Sequence, residues 1–225
     1  MRDHITSCTE GAVIGPNAVL QLFEALEEVG GPSLRNAFRT ELHLPARTDF
    51  TRMIPESMAA KAHRHLRNRY PESAEQVAGL AGEKTANYIL ANRIPRLAQA
   101  LLKTLPTGIA APLLAMAISN HAWTFAGSGS FAIVRFRPLI FSITGNPLTA
   151  GDTAEDPVCA WHAAVFQRLF RILVDHRYTV HETQCSAMGA TCCQFEIFKE
   201  MSSEPAPGPA RTAAQAKHLP QSAKK

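Results

Sequence analysis

Apolar residues recur at helical spacing through the first 130 residues of the chain. Pro16 and Asn17 open a segment with an apolar residue at every third or fourth position as far as Val29, and Gly30 and Gly31 end it. Ile109 to Trp123 is almost wholly apolar, which predicts a central, buried helix. Further helices are predicted from Pro32 to Leu42, from Pro55 to Tyr70, from Glu72 to Asn92 and from Leu97 to Leu105.

The period of the pattern changes after residue 130. Residues 131–136 and 139–143 are short runs of β-type residues, and Arg137-Pro138 separates them. Pro157, with Asp156 as its cap, predicts a helix that runs to about Asp175. Residues 178–185 and 193–197 alternate between apolar and polar like strands, with a turn at Met188 to Ala190.

The order of these elements predicts an α+β fold, in which a helical N-terminal layer packs on a C-terminal antiparallel sheet with one long helix. We expect residues 1–130 to form the helical region. Residues 131–200 should form an α/β module that makes one compact domain with it. Residues 201–225 contain almost no large apolar side chains and are predicted to be disordered.

Composition and charge narrow the function classes. The net charge of +4 and an aromatic content of 7% give no basic stripe interleaved with aromatic residues, so nucleic acid is not an expected partner. No apolar run approaches the ~18 residues of a membrane-spanning helix, and no signal peptide is recognisable at the N-terminus, so a cytoplasmic location is expected. The basic helix from Lys61 to Arg69 suits an anionic membrane surface or a pigment carboxylate, although a solvated face is the simpler interpretation. His63 and His65 on that helix are expected to be solvated.

Four of the five cysteines lie between residues 159 and 193. Cys159 falls in the first turn of the predicted last helix, and Glu182 and Cys185 fall on one strand. Cys193 lies after the turn, at the start of the next strand. If the hairpin folds back and the helix packs on it, three sulfurs and one carboxylate form a closed tetrahedral shell that suits zinc.

Spacing alone leaves two other interpretations of these cysteines open. Free cysteine is among the most buried residue types, so the cluster is equally expected in the core of a hairpin. A redox pair at Cys192 and Cys193 is disfavoured, because neighbours on a strand point to opposite faces. For the same reason Cys192 is predicted to lie on the face away from the other three.

The stretch from Glu182 to Phe195, which reads ETQCSAMGATCCQF, resembles the signature of the 4-vinyl reductase domain family. Pro157 to Trp161 resembles the start of that family's last helix. The family includes the sensory domains of phenol-responsive transcription activators. The resemblance implies a zinc ion held by Cys159, Glu182, Cys185 and Cys193, and a fold shared with vesicle-tethering TRAPP subunits.

The likeness extends over most of residues 10–199, including Ile14 to Ala18, and favours the branch of the family that acts in bacteriochlorophyll biosynthesis. It implies a role in photosynthesis around reduction of the ring-B vinyl group of divinyl (proto)chlorophyllide. The implied partners are a magnesium tetrapyrrole precursor and other bacteriochlorophyll biosynthesis enzymes. Pairing through the helical layer into a homodimer and peripheral contact with the photosynthetic membrane are further expectations.

The residues themselves offer no apparatus for an autonomous reductase. No G-x-G-x-x-G follows a strand, so there is no nucleotide cofactor motif. The cysteines lack iron–sulfur spacing, and a closed shell leaves no open position for Lewis-acid catalysis. We therefore expect a protein that binds or delivers the tetrapyrrole. The alternatives are an oxidoreductase with an external electron donor and a small-molecule-sensing domain of the same family.

A pigment site needs apolar walls and an axial ligand for magnesium. The imidazoles of His121 and His162 are candidate ligands, although a lone histidine more often serves as a core or surface hydrogen-bonding residue. The candidate ligand-binding set is His121, Trp123, Phe125, Trp161, His162 and Phe166.

Overall fold

The structure is a computed structural model and describes residues 11–44 and 49–200. Cys8 and the predicted disordered tail lie outside the described residues. The helices are α1 (Asn17–Glu41), α2 (Glu56–Arg69), α3 (Pro71–Asn92), α4 (Arg96–Thr104), α5 (Thr107–Asn120), α6 (Trp123–Ala126) and α7 (Ala160–Leu173). The strands are β1 (Val13–Ile14), β2 (Ile54–Pro55), β3 (Ser130–Phe136), β4 (Leu139–Thr144), β5 (Tyr178–Gln184) and β6 (Cys193–Lys199).

The break predicted after Val29 is present inside α1. Gly31 has φ 76° and ψ 179°, which are not helical values, and Pro32 follows it. Proline removes a backbone donor and glycine tolerates positive φ, so the chain restarts its helix at this point. The predicted pair of helices is therefore confirmed as two segments of one long element.

The main sheet has four antiparallel strands in the order β3-β4-β6-β5. β6 pairs with both β4 and β5, so it lies inside the sheet. The two-residue strands β1 and β2 form a separate antiparallel ladder that the sequence did not predict. Their shortness explains this, because two residues carry no periodicity.

α7 packs against β5, and α3 packs against both α7 and α1. One cluster of buried apolar residues includes members of α1, α2, α3, α5, α7 and the four-stranded sheet. The predicted α+β class, with helices layered on an antiparallel sheet, is confirmed. The division of the chain at residue 130 stays a prediction.

Two predicted elements differ from the structure. α5 is not a central buried helix, because Ile109, Leu113 and Met116 on one side of it are exposed. α7 begins at Ala160, with Cys159 at its N-cap, whereas Pro157 and Asp156 were predicted to open it. Residues 157–159 have no regular secondary structure and bring Cys159 to the hairpin. No helix in the described ranges combines the length and hydropathy that crossing a membrane requires.

Candidate metal centre

The three cysteines and the glutamate come from three elements. Cys159 is the N-cap of α7, Cys185 directly follows β5, and Cys193 is the first residue of β6. All three cysteines are buried, and Glu182 on β5 is half-buried. Their sulfur and carboxylate oxygen atoms all lie within 4.8 Å of one another.

An irregularity in β5 brings Glu182 and Cys185 to the same point. Residues three apart on a regular strand point to opposite faces. The pairing register of β5 with β6 shifts between Glu182 and Gln184, and the strand ends at Gln184. A 3₁₀ turn over Ser186–Met188 follows, and Gly189 takes the left-handed conformation with φ 88°. The predicted reversal through Gly189 is confirmed.

Hydrogen bonds link the four side chains. The Cys159 thiol donates to Cys193 Sγ over 3.5 Å. The backbone N–H of Cys159 donates to Glu182 Oε2 over 2.8 Å. This contact leaves Glu182 Oε1 buried without a hydrogen-bond partner. A buried acceptor with no partner costs about 1–3 kcal/mol, so a cation at this oxygen would be stabilising.

Two other residues that sequence reasoning missed surround the sulfurs. Asn146 Nδ2 lies 3.3 Å from Cys159 Sγ and 3.5 Å from Cys193 Sγ. Ser186 donates its backbone N–H to Cys193 Sγ over 3.4 Å, and its Oγ lies 3.2 Å from the same sulfur. The sequence signal was an asparagine between Gly145 and Pro147, but it indicated only the end of a strand.

The electrostatics single out Cys193. Hydrogen bonds from the Cys159 and Cys185 thiols hold the pKa of Cys193 far below its ordinary value. Hydrogen bonding to the same neighbours, with burial, raises the pKa of Cys159 well above its ordinary value. Burial also raises the pKa of Glu182. One negative charge is thus favoured among groups that hold their protons, and a divalent cation would displace those protons.

The donor set fits zinc. Three thiolates and one carboxylate oxygen complete a four-coordinate shell. Cys192 is half-buried, its sulfur accepts a hydrogen bond from Gln194 Nε2 at 3.7 Å, and it is not a member of the cluster. The cluster could therefore hold a metal ion, and zinc at these four residues stays a proposal.

Four of the six candidate pigment residues meet in the interior. The rings of Trp161 and His162 lie 4.9 Å apart, and those of Phe125 and Phe166 lie 5.6 Å apart. His162 Nε2 lies 3.4 Å from the Phe125 carbonyl oxygen. Trp161 Nε1 and His162 Nδ1 are buried without a hydrogen-bond partner. Burial lowers the pKa of His162 to about 4, so its imidazole is neutral at physiological pH.

The other two candidates lie on the surface. His121 follows α5 and is exposed, and Trp123 at the start of α6 is 60% exposed. His121 Nδ1 lies 2.9 Å from the Ala117 carbonyl oxygen. If Nδ1–H donates to this acceptor, as that partner requires, Nε2 carries the lone pair. The structure does not bring this pair together with the interior four.

The basic helix α2 is neither solvated nor free to meet a membrane with all its cations. Arg64 donates to Asp152 Oδ1 over 2.6 Å, and Arg67 donates to Asp152 Oδ2. The prediction that His63 is solvated is wrong: it is buried, and its Nε2 lies 2.9 Å from the Ala18 carbonyl oxygen. The face of α2 that carries it packs inward, which a count of charges does not reveal. His65 is half-buried and lies 2.8 Å from Glu41 Oε2.

Comparison with known proteins places this architecture. Residues 139–199 match the model of the 4-vinyl reductase domain. The chain is 47% identical over 185 residues to the bacteriochlorophyll synthase 23 kDa chain of Cereibacter sphaeroides, covering 82% of this chain and 90% of that protein. It is 46% identical over 184 residues to the protein of the same name in Rhodobacter capsulatus, covering 82% and 86%. An H-NOX protein from S. oneidensis, in the Fe(II)NO ligation state, superposes with a TM-score of 0.54 at 11% identity, covering 84% of this chain and all of that one, which shows the fold alone.

Proposed function

The chain belongs to the 4-vinyl reductase domain family of bacteriochlorophyll biosynthesis proteins, together with the bacteriochlorophyll synthase 23 kDa chains, and we propose that it binds a magnesium tetrapyrrole precursor of that pathway. The bound precursor would be presented to other biosynthetic enzymes around reduction of the ring-B vinyl group. Contact with those enzymes and a homodimer are parts of the same hypothesis.

The observation that carries the proposal is the exposed pair His121 and Trp123. With Nδ1 directed to the Ala117 carbonyl oxygen, Nε2 of His121 is a neutral imidazole nitrogen suited to an axial position on magnesium. The hydrogen bond to the carbonyl fixes the ring and raises the basicity of the ligand nitrogen. Trp123 offers an exposed apolar ring two residues away, on which a flat macrocycle would stack.

The interior group suits a large pigment less well. Phe125, Phe166 and His162 are in mutual ring contact, with centroids 5.6–6.3 Å apart. A tetrapyrrole macrocycle is several times larger than one aromatic side chain, so it would have to displace this packing. Opening a close-packed core forfeits its dispersion contacts and costs several kcal/mol for each large side chain, on the order of 3–5 kcal/mol. The surface position avoids that cost.

In this proposal the metal centre has a structural role. Cys159, Glu182, Cys185 and Cys193 would hold the zinc ion and so join the start of α7 to the β5–β6 hairpin. These four donors would complete the coordination shell. Electrons for the vinyl reduction would then come from a partner enzyme.

The test is titration of the purified full-length protein with divinyl chlorophyllide, followed by the Soret band. Binding should shift the band, and His121→Ala should weaken binding by about tenfold or more, since one coordinate bond is lost. Exogenous imidazole should restore part of the shift. His176→Ala, at an exposed histidine elsewhere on the surface, is the matched control and should bind like the native protein.

The reductase alternative is decided in the same cuvette. Addition of NADPH to the complex, without other proteins, should leave the divinyl pigment unchanged. Formation of the monovinyl product would overturn the delivery proposal in favour of an enzyme. Unshifted spectra at all protein concentrations would overturn pigment binding itself.

A second candidate, a small-molecule sensor, is favoured by one observation. Trp161 Nε1 and His162 Nδ1 are two buried polar atoms without partners on adjacent residues. A small hydroxylated aromatic molecule would satisfy both with few displaced contacts. A rise in Tm with phenol, lost in His162→Phe and kept in His121→Ala, would support this candidate. No change in Tm would count against it.

A further inference from the structure

The exposed apolar side chains of the protein are concentrated in one part of the chain. Eight of the eleven exposed large apolar residues of the described structure lie between residues 97 and 136. Scattered exposed apolar residues are normal, but a contiguous group marks an interaction surface. Six of the eight define what we call the basic apolar face: Leu97, Leu101, Ile109, Leu113, Met116 and Phe136.

α4 contributes the most exposed part of this face. The helix has no buried residue, although its sequence is strongly amphipathic. Leu97 is 86% exposed and Leu101 is 59% exposed, and they lie one turn apart on the same side. An amphipathic helix of a soluble domain normally turns its apolar stripe to the core. α4 instead turns two leucines outward.

α5 and β3 continue the face. Ile109, Leu113 and Met116 follow at helical spacing on α5, which contacts α4 and β3. Phe136 and Arg137 at the end of β3 line a groove with the start of α5. The elements are therefore adjacent in space as well as in sequence.

The charge around the face has one sign. No Asp or Glu occurs from residue 84 to residue 151. Within the described part of the chain, none of the cations near the face forms an ion pair with a carboxylate. These exposed cations are Arg93, Arg96, Lys103, Arg135 and Arg137.

We propose that the basic apolar face docks on an anionic phospholipid surface. Leucines that enter the interface between headgroups and acyl chains, with arginine and lysine at the level of the phosphates, are the pattern of an interfacial helix. Anionic lipid would supply the negative charge that residues 84–151 lack. The membrane would be touched by α4 and α5, and the basic helix α2 would not take part.

A second copy of the chain fits the face poorly. A symmetric contact would place the five cations opposite five identical cations with no carboxylate between them. Repulsion of this kind disfavours a homodimer across this surface. An acidic protein partner is the remaining alternative, and vesicle binding separates it from lipid.

The proposal is independent of pigment binding and is tested without pigment. The full-length protein is sedimented with vesicles of phosphatidylcholine alone or phosphatidylcholine mixed with phosphatidylglycerol. It should bind the mixed vesicles, and added NaCl should weaken binding through screening. Lys103→Glu should weaken it on the order of tenfold, since two charges change at the surface. Leu97→Glu should weaken it by a similar factor.

Matched controls carry the same charge changes elsewhere. Arg52→Glu matches Lys103→Glu, and Val29→Glu on α1 matches Leu97→Glu; both controls should bind like the native protein. Leu97 makes no buried contact, so its variant should keep the native circular dichroism and Tm. Equal binding to neutral and mixed vesicles, no binding to either, or unchanged binding of the Leu97 and Lys103 variants would each overturn the proposal. A dimer that Leu97→Glu dissociates, without vesicle binding, would assign the face to a second copy instead.

Discussion

Cys193 is the residue on which the contacts of the candidate metal centre converge. Its sulfur accepts hydrogen bonds from the Cys159 thiol and from the Ser186 backbone N–H, and Asn146 Nδ2 lies 3.5 Å away. These donors favour the thiolate, which is the form of cysteine that binds metals. The neighbouring residue Cys192 has the same chemistry and lies outside the cluster. This pair therefore provides a direct comparison.

Cys193→Ser is expected to lose bound zinc and to lower the free energy of unfolding by about 3 kcal/mol or more, because metal binding adds to folding free energy. Cys192→Ser should keep both the metal and the stability. The measurements are metal content by mass spectrometry and urea unfolding of each purified protein. A Cys193→Ser protein with full metal content would return the cluster to the interpretation of a buried, metal-free core.

His63 makes stability depend on pH. Burial lowers its pKa from 6.5 to about 3 in the folded protein. The unfolded chain therefore takes up a proton first as the pH falls. The stability that neutral His63 contributes is complete above pH 6.5 and is lost progressively as the pH falls from 6.5 towards 3, at no more than about 1.4 kcal/mol per pH unit.

His63→Gln should flatten this dependence, because glutamine can still donate to the Ala18 carbonyl oxygen and does not titrate. The check is urea unfolding at several pH values between 7 and 4, reported as the slope of the free energy of unfolding against pH. His176→Gln, at a side chain that is 89% exposed, should keep the native slope. An equal slope in native protein and His63→Gln would show that His63 is not the group responsible.

At the scale of elements, α3 and α7 approach each other closely at a glycine. A Cβ atom on Gly82 would meet the Trp161 carbonyl oxygen and would lie 2.8 Å from Ala164 Cβ. Both neighbours belong to α7, which also carries Cys159 at its N-cap. The absent side chain at Gly82 thus sets how near α3 can approach the helix that holds the metal centre.

Gly82→Ala is expected to destabilise the protein by about 1–3 kcal/mol through overpacking, despite the higher helix propensity of alanine. Gly79→Ala, one turn earlier on α3, has no atom within 4 Å of the new Cβ. It should be neutral or stabilising by up to about 1 kcal/mol. Thermal unfolding of the two variants side by side measures the difference. Equal Tm values would mean that α3 and α7 separate at low cost.

Local patterns predicted the elements because hydrophobic periodicity reports which face of a segment is buried. Gly30 to Pro32 predicted the break in α1, and the alternation after Cys193 predicted β6. Patterns failed where the outcome depends on distant parts of the chain. The apolar run from Ile109 predicted a buried helix, but in the described structure its outer side is left exposed. The short β1–β2 ladder left no periodic signal.

The candidate metal centre divides in the same way. Its four candidate donors followed from residue type and from the family resemblance, both of which are sequence properties. Asn146 and Ser186 were missed, because contacts with sulfur depend on how a loop from β4 approaches the hairpin. His63 was assigned to solvent, because an Arg-rich helix was interpreted by its charge and not by which face packs against α1.

At the scale of the whole molecule, polar tethers join the helical half to the module that carries the metal centre. Glu56, at the start of α2, is buried and accepts hydrogen bonds from the backbone N–H and the hydroxyl of Ser128 over 2.7 and 2.8 Å. Further along α2, Arg64 and Arg67 both donate to Asp152 in the loop before α7. These partners lie more than 70 residues apart in sequence, so no local pattern predicts them.

Asp152→Ala is expected to lower the free energy of unfolding by about 2–3 kcal/mol, because it leaves two cations facing a largely buried position without their carboxylate. The Asp152 side chain is only 8% exposed. Glu28→Ala breaks the exposed ion pair with Lys84 and should cost less than about 1 kcal/mol. Circular dichroism and tryptophan fluorescence should report one coincident unfolding transition in both variants, since α2 and the loop before α7 share one core. Two separate transitions in Asp152→Ala would show instead that the helical half and the sheet module fold as independent domains, tethered chiefly by this aspartate.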